Sequence, residues 1–309
     1  MKIDWEKHGR MRGMLWGNII GDALGSPVQF RERGSFEKVT DMQSCGCFGT
    51  PPGYWTDDGA MALCVAESFE RLARYDLADI GENFVRWLDD GFMSSTKAAF
   101  DVGQTTWASI DRIRKGSLAN GTESSQGNGS IMRLAPSWIM NHYLTPTTNE
   151  ILLGVSDLTH RSVAVHNVVL RMSAILDEHI AGKRTTAVSF YKTADEVNNS
   201  GWAVSTLEAA LWAFNSTSTF EDALIAAVNL GGDADSIGAV TGQIAGAYYG
   251  YAAIPERWIR AIPKMNDMGS SHHGDVNHLF IRFLDRFYER RNKEEMLARE
   301  EAESPSTAH

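Results

Sequence analysis

Apolar residues recur at helical spacing along most of the chain. Met61, Val65, Phe69 and Leu72 fall at i, i+4, i+8 and i+11 while Glu67, Glu70 and Arg71 face elsewhere, which predicts an amphipathic helix. The segment "STSTFEDALIAAV" predicts another. Thr219 is placed to cap it, Glu221 and Asp222 complement the helix dipole, and Phe220, Leu224 and Val228 form its apolar stripe. Similar patterns cover about 11–24, 78–89, 151–158, 163–181, 203–214 and 276–300. No alternating strand pattern and no internal repeat is evident.

The expectation is therefore an all-α fold: one compact multi-helix domain over residues 1–300, a frayed tail over 301–309, and long functional loops near 25–56 and 116–130. Within 236–250, Gly238, Gly242, Ala245 and Gly246 give one helix several small faces. Glycine lowers helix stability, so close contact with another helix is the expected compensation and this helix is expected to be central.

Composition narrows the function classes. The chain has 309 residues, 43% of them hydrophobic, enough for a large core, and no charged or Pro/Gly/Ser-rich linker divides it. A formal net charge of -10 argues against a broad nucleic-acid surface, which needs clustered Lys and Arg. The charged start "MKIDWEKHGRMRG" lacks the apolar core of a signal peptide. The weakly polar run 238–254 is broken by Thr241, Gln243 and glycines, so no membrane span and a cytoplasmic location are expected. Three cysteines, Cys45, Cys47 and Cys64, cannot build a disulfide framework, and the C-x-C pair is read as ordinary thiols.

Two acid clusters carry the candidate chemistry. "NLGGDADSIGAV" brings Asp233, Asp235 and Ser236 to the start of a helix; "YWTDDGAMALC" does the same with Thr56, Asp57 and Asp58. Helix N-termini favour acceptors and negative charge, so N-capping is one reading of each. The other is a divalent-cation site: one cap needs one acceptor, each cluster offers at least three oxygens, and oxygen-only sets suit Mg2+, Mn2+ or Ca2+ rather than zinc. Two such clusters suit two ions. Periodicity does not show that they meet.

The motifs "GNIIGDALGSPVQF", "WTDDGAMAL", "FDVGQTT", "GNGSIMR", "LTH" and "GGDADSIGAVTGQIAGA" occur in the order seen in the ADP-ribosylglycohydrolase family, and the resemblance covers residues 12–250. It implies an all-α fold with a binuclear Mg2+ or Mn2+ centre that hydrolyses the glycosidic bond joining ADP-ribose to an acceptor. ADP-ribose or an ADP-ribosylated protein is the implied partner, with arginine the leading acceptor. By position, Thr56, Asp57, Asp58, Asp233, Asp235 and Ser236 match the family's metal ligands. Asp58, Asp57 and Asp235 are the implied catalytic acids, with Asp58 taking the proton of water.

The same resemblance makes Asp101, Gly127, Asn128, Gly129, Ser130, His160 and Gln29 the substrate-binding set. Arg133 is either a substrate contact or a structural ion-pair partner, and Asp22 is expected to support the ligands rather than to be one. His272 and His273, on a polar stretch outside the resemblance, are left out of the site. Gln29 is a departure, since several members have Glu there. Gln donates and accepts hydrogen bonds but cannot act as a base. The implied alternative is an ADP-ribose-binding module with weak or no turnover.

Overall fold

The computed structural model describes residues 4–264 and 275–303, with side chains up to position 290. His272 and His273 lie outside the described residues. Twelve α-helices carry the described chain: α1 (Trp5–Gly25), α2 (Asp57–Leu72), α3 (Leu77–Asp90), α4 (Gln104–Ile113), α5 (Leu134–Leu144), α6 (Glu150–Asp157), α7 (Val163–Ile180), α8 (Ala203–Asn215), α9 (Phe220–Val228), α10 (Ala234–Tyr249), α11 (Glu256–Ala261) and α12 (Val276–Glu303). Extended pairing among the described residues is confined to two isolated bridges, Cys45 with Thr50 and Gly127 with Trp202. The fold is all-α, and no helix among the described residues is long and apolar enough to cross a membrane.

Helix α10 is central, and its glycines explain how. They meet the glycines of α1 in antiparallel register: a Cβ on Gly17 would lie 2.0 Å from the Gly242 carbonyl oxygen, one on Gly21 2.0 Å from that of Gly238, and one on Gly13 2.5 Å from that of Gly246. No side chain fits between, so the helices touch backbone to backbone along most of their length. Apolar side chains on their other faces enter the main core with those of α2, α5 and α7. The antiparallel register sets the C-terminal end of α1 beside the N-terminal end of α10, which is where the acids are.

Helix α2 joins the same corner. Its far end is fixed to α12, where Phe69 stacks on Phe287 with ring centroids 4.3 Å apart and Arg282 Nε donates to Glu70 Oε1 at 2.7 Å.

Several boundaries differ from expectation. Helix α1 begins at Trp5, capped by Asp4, because its first turns are exposed and carry little apolar pattern. Helices α4, α5 and α11 were not expected. Helix α5 is buried over Leu134–Asn141, so it shows no polar face to give a period, and Pro136 sits in its first turn, where the missing N–H has no helical partner to lose. Helix α12 continues to Glu303, three residues into the expected tail.

Candidate active site

The two acid clusters meet. Asp57, Asp58, Asp233, Asp235 and Ser236 line one cleft of about 740 Å3 together with Gln29, Asp101, Gly127, Asn128, Gly129 and His160. Thr56 lies directly behind it, buried, and Ser236 Oγ donates to Asp58 Oδ1 at 3.3 Å across the junction of α10 and α2.

The acids are not helix caps. Neither Thr56 nor Asp233 uses its side chain to cap the helix it precedes. The orphan amides of α2 are met instead by Asp22, from α1: its carboxylate accepts the Thr56 and Gly59 backbone N–H groups at 3.0 and 2.8 Å and the Thr56 hydroxyl at 2.9 Å. Asp22 thereby fixes Thr56 while Asp57 and Asp58 face the cleft. On the other side, Gly231 and Gly232 both take left-handed backbone, with φ of 66° and 64°, and the turn they make directs Asp233 inward. Asn128 donates to Asp233 and, at 3.0 Å, to Thr206 Oγ1.

Burial, followed by the charge of neighbouring carboxylates, pushes Asp57, Asp58 and Asp235 well above the usual carboxylate range. Burial also raises Asp101 and Asp233, and raises Asp22 to about 7 against the opposing pull of its hydrogen bonds. Among the described residues neither Lys nor Arg lines the cleft. Asp58 Oδ2 and Asp235 Oδ1 are buried with no hydrogen-bond partner among the described residues. Buried carboxylate oxygens in that condition are relieved by a proton or by a cation. Among the described residues no three His, Cys, Asp or Glu side chains are grouped so that they could hold a metal ion by themselves. The acids form an open set, which suits hard cations that take hydroxyl, water and substrate oxygens for part of their coordination.

The opposite wall is built on Arg133. It is fully buried, donating to the Gly129 carbonyl and, at 2.6 Å, to Thr159 Oγ1, with its guanidinium 4.9 Å from the Phe84 ring centre. Burial lowers its pKa to about 10, partly offset by Asp57 and Asp58, so it remains charged. Of its two expected roles the geometry gives the structural one. Thr159 Oγ1 lies 2.8 Å from His160 Nδ1. Among the described residues Nδ1 is the acceptor within reach of the Thr159 hydroxyl, and with the Thr159 proton in that bond His160 carries its own on Nε2 as a donor. Burial, with the Arg133 charge second, holds the His160 pKa down to about 3, so the ring is neutral. Its ring packs on glycine: a Cβ at Gly129 would stand 2.3 Å from His160 Cε1.

Ser130 departs from its expected place. It is buried and does not line the cleft; its hydroxyl pairs with Ser156 at 2.7 Å. Gln29 does line it, and its Nε2 donates to Asp101 Oδ2 at 2.8 Å. The amide thus partners an acid directly. The cysteines are free, with Cys45 and Cys47 sulfurs 3.0 Å apart on a hairpin beside the cleft.

Comparison with known proteins agrees with this architecture. The profile of the ADP-ribosylglycohydrolase family matches residues 4–294. The chain belongs to the ADP-ribosylglycohydrolase family. It is 36% identical over 282 residues to ADP-ribosylarginine hydrolase Tri1 of Serratia proteamaculans, an alignment covering 82% of this chain and 75% of that protein. It is 30% identical to the ADP-ribosyl-[dinitrogen reductase] glycohydrolase of Rhodospirillum rubrum, covering 82% and 90%. A solved structure described as an ADP-ribosylglycohydrolase-related protein complex superposes with a TM-score of 0.77 at 31% identity, covering 92% of this chain and 99% of the other. The chain is a hydrolytic enzyme of this family.

In this ADP-ribosylglycohydrolase, sequence reasoning missed the aromatic side of the cleft. Phe30 and Phe48 line it, as does the segment Val102–Thr106. Aromatic residues on irregular loops have no period to betray them.

Proposed function

We propose that the protein hydrolyses the N-glycosidic bond joining ADP-ribose to an arginine side chain. The observation that carries this reading is the pair of carboxylate oxygens, on Asp58 and Asp235, that have no partner among the described residues, in a cleft that no described Lys or Arg lines. It is supported by relatives named ADP-ribosylarginine hydrolase at 36% and 34% identity.

Two Mg2+ or Mn2+ ions would be held by Thr56, Asp57 and Asp58 from α2 and its cap, and by Asp233, Asp235 and Ser236 from α10. The carboxylate oxygens of Asp58 and Asp235 without a partner among the described residues support this reading. When bound, such ions supply charge neutralisation and coordination for ribose hydroxyls and water. Asp58 takes the proton of the attacking water as its oxygen bonds the anomeric carbon. The bond from that carbon to the guanidine nitrogen breaks, and the guanidine leaves with the electron pair and takes the proton that Asp58 collected from the water. His160 offers its Nε2–H to a substrate oxygen, and the Gly127–Gly129 segment with Asn128 forms the wall beside it. Asp101, held by Gln29, faces the breaking bond as a retained carboxylate.

The test is release of free ADP-ribose from arginine-, serine- and nucleobase-linked conjugates, with Mg2+, with Mn2+ and with chelator, alongside an Asp233→Ala, Asp235→Ala double variant. Metal-dependent release from the arginine conjugate, lost in the variant, is expected. ADP-ribose binding without release from any conjugate would establish instead a binding module, with Gln29→Glu the substitution to restore turnover.

A further inference from the structure

Two strained dipeptides meet at the mouth of the cleft. Among the described residues four non-glycine positions have positive φ, and two of them, Phe30 at 63° and Asp101 at 57°, line this cleft. A bulky residue held in left-handed backbone is an outlier that the surroundings must enforce. At Phe30 the enforcement is visible: its N–H donates to the Gly232 carbonyl at 2.7 Å, and Gly232 N–H donates back to the Arg31 carbonyl at 2.9 Å.

The two dipeptides, Gln29–Phe30 and Phe100–Asp101, are joined in two layers. Inside, Gln29 Nε2 donates to Asp101 Oδ2. Outside, Phe48 bridges the rings, its centroid 6.5 Å from that of Phe30 and 5.2 Å from that of Phe100. Phe48 is presented by the hairpin that Cys45 and Thr50 close with mutual backbone hydrogen bonds, and Cys45 Sγ ties that hairpin to the Ser26 carbonyl at 3.2 Å. Exposure orders the layers by depth. Asp57, Asp58 and Asp235 are buried, Asp101 is half-buried, and Phe30 stands 67% exposed.

We infer that this lip is the subsite for the acceptor, with Phe30 and Phe48 as its specificity-determining residues and a guanidinium on an aliphatic stem as the group it takes. The inference rests on the arginine reading above and adds where the acceptor lies. A substrate whose anomeric carbon sits among the deep acids passes its acceptor outward, first past a carboxylate and then between rings. Asp101 offers negative charge to a planar cation, Gln29 keeps that carboxylate in place, and the aromatic faces accept the cation's flat surface and the methylenes behind it. Among the described residues no Lys or Arg on the lining opposes the charge. A serine acceptor, uncharged and short, would engage neither layer.

The experiment compares wild type with Phe30→Ala, Phe30→Gly and Phe48→Leu, measuring kcat and KM for an ADP-ribosylarginine peptide and Ki for free ADP-ribose. Phe30→Gly removes the ring while relieving the left-handed strain, so it guards against a variant that fails to fold. Each substitution is expected to raise KM for the arginine conjugate roughly three- to tenfold, with kcat and the ADP-ribose Ki within twofold of wild type. Equal rises in KM and in the ADP-ribose Ki would place the nucleotide on these rings and overturn the inference, as would unchanged KM in folded variants. Absence of release from the arginine conjugate by wild type would overturn the arginine reading itself, and this inference with it.

Discussion

Asp22, near the C-terminal end of α1, accepts the backbone N–H of Gly59 at 2.8 Å and so caps a helix that begins 35 positions further along the chain. The same carboxylate accepts both donors of Thr56. Local sequence gives α2 three hydroxyl or carboxylate groups at its start, yet Thr56 does not cap it with its side chain, and Asp57 and Asp58 face the cleft because a distant acid does that job.

Asp22→Ala would leave three buried donors without an acceptor. A loss of roughly 2–4 kcal/mol in urea denaturation is expected, together with weaker Mn2+ stabilisation because Thr56 loses its anchor. Asp22→Asn, which keeps an acceptor oxygen, should lose less. Equal losses for the two would show that hydrogen bonding is not what the site requires.

Divalent metal should raise the melting temperature of the wild-type protein. Mn2+ at a hundred times its Kd would stabilise by about 2.7 kcal/mol per site. In Asp233→Ala the effect should shrink sharply, since the half of the set on α10 is broken. An undiminished shift in that variant, read by differential scanning fluorimetry with chelator controls, would place metal binding elsewhere.

The α1–α10 contact predicts opposite outcomes for two glycine substitutions on one helix. In Gly17→Ala the new Cβ would meet the Gly242 carbonyl oxygen at 2.0 Å, forcing the helices apart. The expected cost is about 3 kcal/mol or more, with loss of activity as the acid sets separate. Gly9 has nothing within 4 Å of its added Cβ, so Gly9→Ala should instead gain about 0.5–1 kcal/mol from helix propensity.

Gly129→Ala would press a methyl against His160 Cε1, 2.3 Å away in the undisturbed structure. The ring must turn, and its Nε2–H with it. The expected result is a KM for substrate raised roughly tenfold, one hydrogen bond's worth, at nearly unchanged stability of the metal-bound protein. A normal KM would mean that the ring makes no substrate contact.

His179 gives a pH signature away from the site. It is buried on Phe214 and Tyr248, its Nδ1 lies 2.9 Å from the Ile244 carbonyl oxygen, and burial lowers its pKa to about 4. The unfolded ring, with a pKa near 6.5, binds a proton that the folded ring refuses. Its contribution is therefore fully present above about pH 6.5 and is lost as pH falls towards 4, at about 1.4 kcal/mol per pH unit. His179→Gln keeps a donor but cannot titrate. The wild-type stability should fall more steeply below pH 6.5 than that of the variant, as measured by urea midpoints; parallel profiles would contradict the buried neutral ring.

Much of this was readable from residue order. The stripe of Met61, Val65 and Phe69 marks α2 although residues 57–70 are buried all round, because the polar positions between them are charged residues paired inside the fold, Glu67 with Arg71 and Glu70 with Arg282. The glycines of 238–246 mark α10 because only a close neighbour offsets their cost. Helix α5 carries no such mark, being buried on every side over most of its length. The acids Asp57, Asp58, Asp233 and Asp235 announced oxygen chemistry, but their meeting depends on the α1–α10 register, a tertiary fact. Ser130 shows the converse: a hydroxyl in a substrate-like motif was taken by Ser156, a partner that spacing does not reveal. Asp22 as a cap, and Phe30 and Phe48 as a lip, likewise arise from tertiary contacts that residue order does not carry.

The backbone contact between α1 and α10 has a consequence for tolerance to change. Where two helices are held apart by side chains, their separation is negotiable: a smaller or larger residue shifts it by a fraction of an ångström. Here peptide rests on peptide at Gly17 and Gly242 and at Gly21 and Gly238, so nothing between them can be resized. The spacing of the acids is thus insulated from drift elsewhere in the core, and the loops bearing Phe48 and Trp202 can diversify around a corner whose dimensions are set by the polypeptide itself.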